Sequence, residues 1–518
     1  MTQRDPLRNS PIDPSTSHSN NAARLRWAVY TVLIALALGQ AAGKILAVNS
    51  VDLRRLEDQR VKIALERERV RLEADGMTGV ALELRLEAVE NEVRDQQRLQ
   101  RPFLSANDRS RWLAIRALAE QGTFEIDRLL EERTWDTIDM VQHANRDGEL
   151  RLYSSKPPLL MVLIAGPYWL LMQLTGMTLG THPYAVGRTL LLAINGGALA
   201  LLLSMTAVLI ERHGRGDLGR LLAMAVACFG TLLSAFTPVL NNHLIAAAAT
   251  AAACVGWSRL RASDQQLSKL SLLTGIAAAF AAANELPALG LTVLLGASLA
   301  IRRPLETLTG YLPGAALVGV AFFATNYWAH DSWRPPYAHR STVDPSDNWY
   351  DYEYTLNGRT RESYWRNPKG VDIGEPSKGV YAFHTLVGKY GVFSLTPIWV
   401  LSVAGGAWLI ARGRPLDREL ALITLAITAA CLVFYLGLRP QADRNYGGAT
   451  SGLRWLFWLA PLWVTLIPPA AQGLSRRRAG LALACTLLVL SALSAAYPTW
   501  NPWQAPWIAD WADALVGS

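Results

Sequence analysis

Apolar stretches long enough to cross a bilayer recur along this chain, and nothing else in it constrains the fold as tightly. They lie near residues 25–48, 157–178, 185–210, 219–239, 243–258, 269–284, 286–301, 308–328, 388–410, 417–437, 453–471 and 478–497. Roughly 20 apolar residues in a helix span the hydrocarbon core, where backbone groups must be satisfied within the segment itself. The pattern therefore predicts an all-α polytopic membrane protein, and a composition of 51% hydrophobic residues with 18 Trp agrees. The first run, Leu25 to Val48, is too long for a signal-peptide core and lacks a small-residue cleavage site, so it reads as a retained helix. Cys228, Cys254, Cys431 and Cys485 all fall inside apolar runs as small hydrophobes, with no disulfide framework or zinc spacing.

Basic clusters set the expected topology. They sit at Arg24/Arg26, Arg212 to Arg220, Arg259/Arg261/Lys269, Arg302/Arg303, Arg412/Arg414/Arg418 and Arg476 to Arg478. Short loops of this kind stay cytoplasmic, which accounts for a net charge of +8 without a nucleic-acid partner. All clusters fall on one side only if 157–178 does not cross, and Pro157, Pro158, Gly166 and Pro167 favour a juxtamembrane or re-entrant segment there. The expectation is eleven crossings in the inner (plasma) membrane, with the N-terminus cytoplasmic and the C-terminus external.

The chain then divides into a disordered cytoplasmic tail (1–22), a first transmembrane helix (25–48), an external helical hairpin (49–101), an external juxtamembrane loop (102–178), a transmembrane core (185–328), an external lid loop (329–387), C-terminal transmembrane helices (388–497) and a Trp-rich external tail (498–518). In the hairpin, Leu56, Ile63 and Val70, then Leu82, Leu86, Val89 and Val93, mark two amphipathic helices joined at Asp75-Gly76. A coiled coil that binds a partner is the alternative reading. Trp500, Trp503, Trp507 and Trp511 read as headgroup anchors, with a sugar-stacking platform as the alternative.

Chemistry concentrates where polar groups meet apolar segments. Asp108 lies between Asn107 and Arg109, with Arg111 nearby, and Lys156-Pro157-Pro158 stands at the lip of the next apolar run. A carboxylate can accept an acceptor's proton, and cations can hold a phosphate. Asp108 could equally cap the following helix or pair with Arg109 or Arg111, and Lys156 could simply snorkel to the headgroups. Polar groups at span ends are costly, so Asn241, Asn242, His243, Asn284 and Glu285 are further candidates. Arg188 and Arg454 read as phosphate ligands or interfacial anchors, and Tyr446-Gly447-Gly448 offers close backbone approach. The lid loop carries Arg340, many aromatics, and an acidic patch of Asp344, Asp347, Asp351 and Glu353 whose spacing leaves a divalent cation open. No nucleotide-binding motif is present, so no nucleotide cofactor is expected.

Five places give the chain a resemblance to a known family. They are Asp108 with Lys156-Pro157-Pro158; PYAVGR from Pro183 to Arg188; SAFTPVLNNHLIAAAATAAACVGW at 234–257; TGIAAAFAAANELPALGL at 274–291; and YGVFSLTPIWVL at 390–401 with RWLFWLAPLW at 454–463. This order resembles the GT-C superfamily of membrane glycosyltransferases, in the branch of bacterial aminoarabinose transferases and dolichyl-phosphate-mannose protein mannosyltransferases. The resemblance implies an external active site that moves a sugar from a polyprenyl-phosphate donor to a lipid, glycan or protein acceptor. It implies Asp108 as general base and Arg109, Arg111, Lys156, Arg188 and Arg454 as donor-phosphate ligands, with Asn242, His243, Glu285, Arg340 and Tyr446 binding substrate. The chain departs from the family where Asn241-Asn242-His243 replaces a second Asp, and where Glu285 replaces a Lys and would pair with His243 or Arg340. A scaffold that has lost catalysis, or a lipid or polysaccharide transporter, is the competing reading.

Overall fold

The computed structural model describes residues 14–48, 50–52, 54–97, 100–132 and 134–516. Among the described residues, seven helices are long and apolar enough to cross a membrane: Asn21–Leu46, Pro158–Thr175, Pro183–His213, Asp217–Phe236, Pro304–His330, Pro415–Leu438 and Arg478–Ala496. The shorter apolar helices Ala288–Arg302 and Trp399–Arg412 join them, as do His243–Ala262, Ser268–Asn284 and Ala460–Leu474. Seven helices thus meet the length and apolarity of a span, and a count of eleven crossings needs the shorter ones as well. His243–Ala262 is alanine-rich and buried nearly all round, so it forms the axis of the bundle. Its neighbour Ser268–Asn284 needs Gly275, where a Cβ would fall 2.0 Å from the Tyr311 carbonyl oxygen.

The two ends of the bundle differ chemically. At one end Arg26 pairs with Glu211 at 2.9 Å and Asp217 at 2.6 Å. There too Arg212 donates to Ser258, His213 meets both Asp417 and Ser258, and Arg414 donates to the Arg212 carbonyl. Arg303 donates to the Gln265 carbonyl, and the Gly219 amide to Gln472. At the opposite end Arg188 reaches the Val48 carbonyl at 2.7 Å, and the Leu240 amide meets Asp108.

The Pro158–Thr175 helix runs unbroken through Gly166 and Pro167. Both of its ends nevertheless stay on the Asp108 side. Lys156, just before it, contacts Asp139. Just after it, the Leu179 amide donates to the Tyr168 hydroxyl at 2.8 Å and Gly180 packs against Arg116.

Several polar segments differ from expectation. The first helix starts at Pro14, so residues 14–22 are helical rather than a disordered tail, and residues 1–13 lie outside the described residues. The hairpin helices Arg54–Ala74 and Gly79–Gln97 meet along Val61, Leu65, Leu72, Leu82 and Leu86, while Ile63 and Val70 are 55% and 60% exposed. Leu65 and Leu72 share the seven-residue spacing of Ile63 and Val70, and the seam that also carries Val61, four residues before Leu65, is the one that packs. Within 102–178, Met140–Ala144 and Leu150–Ser154 form an antiparallel hairpin. A second hairpin in the lid loop, Glu353–Leu356 with Arg359–Glu362, turns at Asn357-Gly358 with φ of +52° and +71°, the left-handed pair that tight hairpins require. The lid loop docks on the first hairpin: the Gln142 amide donates to the Trp349 carbonyl at 3.0 Å, and the His143 ring packs against Tyr153 and Trp349. In the C-terminal tail Trp500 and Trp511 are exposed, but Trp503 turns inward onto Phe236.

Candidate active site

Ser105 caps the helix Ala106–Arg116 by accepting the Asp108 amide at 3.0 Å. Asp108 is therefore not the cap, and its carboxylate is free to face the bundle. Its Oδ1 accepts from the Leu240 amide at 2.9 Å, and its fully buried Oδ2 has no partner among the described residues. Two asparagines lock the loop that presents Leu240. Asn195, on a wide turn at Leu192–Gly196, donates to the Thr237 and Val239 carbonyls. Asn241 donates to the Phe236 and Val239 carbonyls and accepts the His243 amide, which caps the axial helix. Burial pushes the Asp108 carboxyl up to about 7, against the opposing pull of the Leu240 and Leu104 amides and the charges of Arg111 and Arg109.

Arg111 is the cation of the site beside this carboxyl, and Arg454 and Lys156 gather around Arg111. Arg111 donates to Asn242 Oδ1 at 2.7 Å and to Asn107. Arg454 donates through Nε to the Gly447 carbonyl at 2.7 Å and lies over the Trp503 ring. Lys156 Nζ stands 3.2 Å from Asp139 Oδ1. Burial, followed by repulsion from Arg454, lowers Arg111 to about 10. Burial also lowers Lys156 to about 8; Asp139 opposes the shift, while Arg111 and Arg454 add to it. For Asp139, burial acts upward, but Lys156, with help from Arg454 and Arg111, holds the carboxyl below its ordinary value. Neither the Arg111 nor the Arg454 guanidinium touches a carboxylate. Asp139 and Glu285 act on both only from a distance, and two buried guanidiniums with no counter-charge in contact are suited to receive an anion.

A polar relay holds Arg111 from behind. Asn242 accepts from Arg111 and donates to Glu285 Oε1 at 2.8 Å and to the Asn284 carbonyl at 2.7 Å. Glu285 also meets His243 Nδ1, which settles its pairing in favour of His243 over Arg340. His243 Nε2 is buried and has no partner among the described residues.

The fold thus brings together Asp108, Arg111, Lys156, Asn242, His243, Glu285 and Arg454. It leaves out the other four candidates. Arg109 points away to the Asp136 and Phe103 carbonyls. Arg188 is tied to the Val48 carbonyl. Arg340 lies over Tyr350 and Trp365 and pairs with Asp443 at 3.4 Å. Tyr446, at φ +57°, stacks on Tyr390 and shapes the turn whose Gly447 carbonyl receives Arg454. The acidic patch of the lid loop is split up: Asp347 pairs with Arg334 and His339, and Asp351 and Glu353 with Arg366. Among the described residues no three His, Cys, Asp or Glu side chains converge. Asp139 and Glu285 are engaged by Lys156 and by Asn242 and His243.

Two members of the site were not anticipated. Asp139 comes from hairpin register: Met140 pairs with Ser154, and the Ser155 amide donates to the Asp139 carbonyl, which sets Asp139 beside Lys156. Trp503, expected at the headgroups, forms the platform under Arg454.

No family model matches the sequence, and no curated protein does. Among solved structures, the chain is similar to the archaeal oligosaccharyltransferase AglB from Archaeoglobus fulgidus in complex with an inhibitory peptide and a dolichol-phosphate, at 14% identity and a TM-score of 0.37 over 79% of this chain. It is also similar to the Archaeoglobus fulgidus oligosaccharyltransferase tethered to an acceptor peptide containing the NVT sequon, at 13% identity and a TM-score of 0.39 over 80% of this chain. The match covers 53% of each of those chains, so the protein spans about half their length.

Proposed function

We propose that this protein is a membrane glycosyltransferase of GT-C type that moves a sugar from a polyprenyl-phosphate donor to an acceptor hydroxyl at the external face of the inner membrane. One observation carries the reading: Arg111 and Arg454, buried and without a contacting carboxylate, cluster with Lys156, and Arg111 adjoins a carboxyl poised near neutral pH. Asp108 Oδ2 takes the acceptor's proton as the acceptor oxygen attacks the anomeric carbon. The bond from that carbon to the phosphate oxygen breaks, and its electron pair leaves on the lipid phosphate. Arg111, Lys156 and Arg454 meet the charge that develops there, in a site where fixed donors need no reorganisation. Asn242, Glu285 and His243 hold Arg111 in place. The acceptor is a lipid, glycan or protein hydroxyl, entering beneath the docked lid loop.

The reading places the Pro158–Thr175 helix along the external surface, with the other apolar helices making eleven crossings and the basic end of the bundle in the cytoplasm. A cysteine at the exposed Thr181 is then expected to react with a membrane-impermeant thiol reagent in intact cells, and protection there would reverse the orientation. The activity itself is tested by transfer of radiolabelled sugar from a panel of polyprenyl-phosphate donors in membranes that contain the protein. Label appearing in lipid, glycan or protein is the expected result, and no transfer from any donor would sink the assignment.

A further inference from the structure

The first transmembrane helix buries a lysine that the transfer chemistry does not use. Lys44 is only 6% exposed, two residues before the helix ends at Leu46. It has no hydrogen-bond or ion-pair partner among the described residues. Its side chain lines a groove of about 320 Å³ whose other walls are Phe229, Ser234, Val489 and Leu493, with Gln40 at the rim. Gln40 and Lys44, four residues apart, share one helix face. Leu36 and Leu46 on the same helix, and Val489, Leu490 and Leu493 on Arg478–Ala496, are exposed apolar side chains, so the groove opens to the bilayer. The Lys44 backbone lies one turn from Val48, whose carbonyl receives Arg188 at the Asp108 end of the bundle. That places the ammonium close to headgroup depth on that side.

We propose that this groove is a binding site for an anionic membrane phospholipid, one whose phosphodiester has no cation in its own headgroup, with that phosphodiester paired to Lys44, its polar edge against Gln40 and Ser234, and an acyl chain along Phe229, Val489 and Leu493. Charge matching selects the ligand. A lone ammonium in an apolar wall is stabilised by a single negative charge, which a phosphodiester carries. The polyprenyl phosphomonoester that transfer releases carries up to two, which the three-cation cluster of Arg111, Lys156 and Arg454 meets; the bulky sugar of the donor diester has no polar room in a groove walled by Phe229, Val489 and Leu493. The Lys44 site is therefore structural or regulatory, and it depends on none of the transfer chemistry.

The test is native mass spectrometry of the full chain from phosphatidylcholine nanodiscs doped with phosphatidylglycerol or with undecaprenyl phosphate. Wild type should retain one phosphatidylglycerol. Lys44→Met should reduce that retention by roughly tenfold, the scale of one charge-assisted contact. Lys44→Arg should restore it, and Asp108→Asn should leave it unchanged. Val489→Trp, which fills the groove but keeps the charge, should also lose the lipid and supplies the answer if Lys44→Met does not fold. Equal retention by wild type and Val489→Trp or Lys44→Met overturns the site. So does Lys44-dependent retention of undecaprenyl phosphate without phosphatidylglycerol, which would assign the groove to the donor lipid.

Discussion

Replacing Asp108 by Asn is expected to lower sugar transfer by roughly 10²–10⁴-fold, the usual contribution of a positioned general base, while protein abundance stays at the wild-type level. Asn keeps the oxygen that accepts the Leu240 amide, so the 236–243 loop and the axial helix cap remain in place. It removes only the ability to take a proton. In the wild type, transfer should rise with pH through about 7 as the carboxyl ionises; the residual activity of Asp108→Asn should lack that rise. Stability moves the opposite way. Because burial raises the folded-state value above the ordinary 3.8, the folded protein holds this proton more tightly than the unfolded chain. The stabilisation that this proton gives is fully present below the unfolded value and is lost as pH rises through about 7. Asp108→Asn should therefore be no less stable than wild type at pH 8, and more stable by at most about 4 kcal/mol, the equivalent of the whole shift. Thermal unfolding of both proteins at pH 5 and pH 8 checks the sign. A variant that is markedly less stable at pH 8 would mean that Asp108 serves the fold and is not the base.

Most of this site could be read from the residues because lipid makes polar groups conspicuous. Asn242, His243 and Glu285 stand out at the ends of apolar runs, and the structure joins them through two hydrogen bonds to Glu285. The basic clusters likewise marked one end of the bundle, and the contacts of Arg26, Arg212, Arg303 and Arg414 gather there. Helix geometry could have separated Arg109 from Arg111, since residues two apart on a helix point about 200° apart and both cannot face one site. Arg111 faces Asn242, and Arg109 faces Asp136 and Phe103.

Asp139 was hidden for a different reason. A carboxylate in a long polar loop is unremarkable, and its place depends on a strand pairing that an all-α expectation does not contain. The signal was present as the turn sequence Asn145-Arg146-Asp147-Gly148 between alternating stretches MVQHA and LRLYS. Asn357-Gly358 marked the lid hairpin in the same way. Trp503 was not readable at all. Interfacial Trp residues look alike in sequence, and only the packing of Phe236 and the position of Arg454 draw this one inward while Trp500 and Trp511 stay exposed.

The Lys156–Asp139 pair separates the fold from the chemistry. Lys156→Met leaves Asp139 buried among neighbours with no contacting cation, and breaking a buried pair in this way costs about 3–5 kcal/mol. The double change Lys156→Met with Asp139→Asn removes both charges and should recover most of that stability. It should not recover transfer, because the ammonium that meets the leaving phosphate is still missing. Asp139→Asn alone has a different signature. Asp139 opposes the burial that lowers Lys156 to about 8, so without it the ammonium loses its proton at still lower pH. Wild-type activity should then fall on the alkaline side near pH 8, and in Asp139→Asn that limb should move toward acid while activity at pH 6 is largely kept. Thermal unfolding of the four proteins, with their pH–rate profiles, reads both effects. If the double variant regains transfer along with stability, Lys156 is a structural partner of Asp139 and the phosphate is held by Arg111 and Arg454 alone.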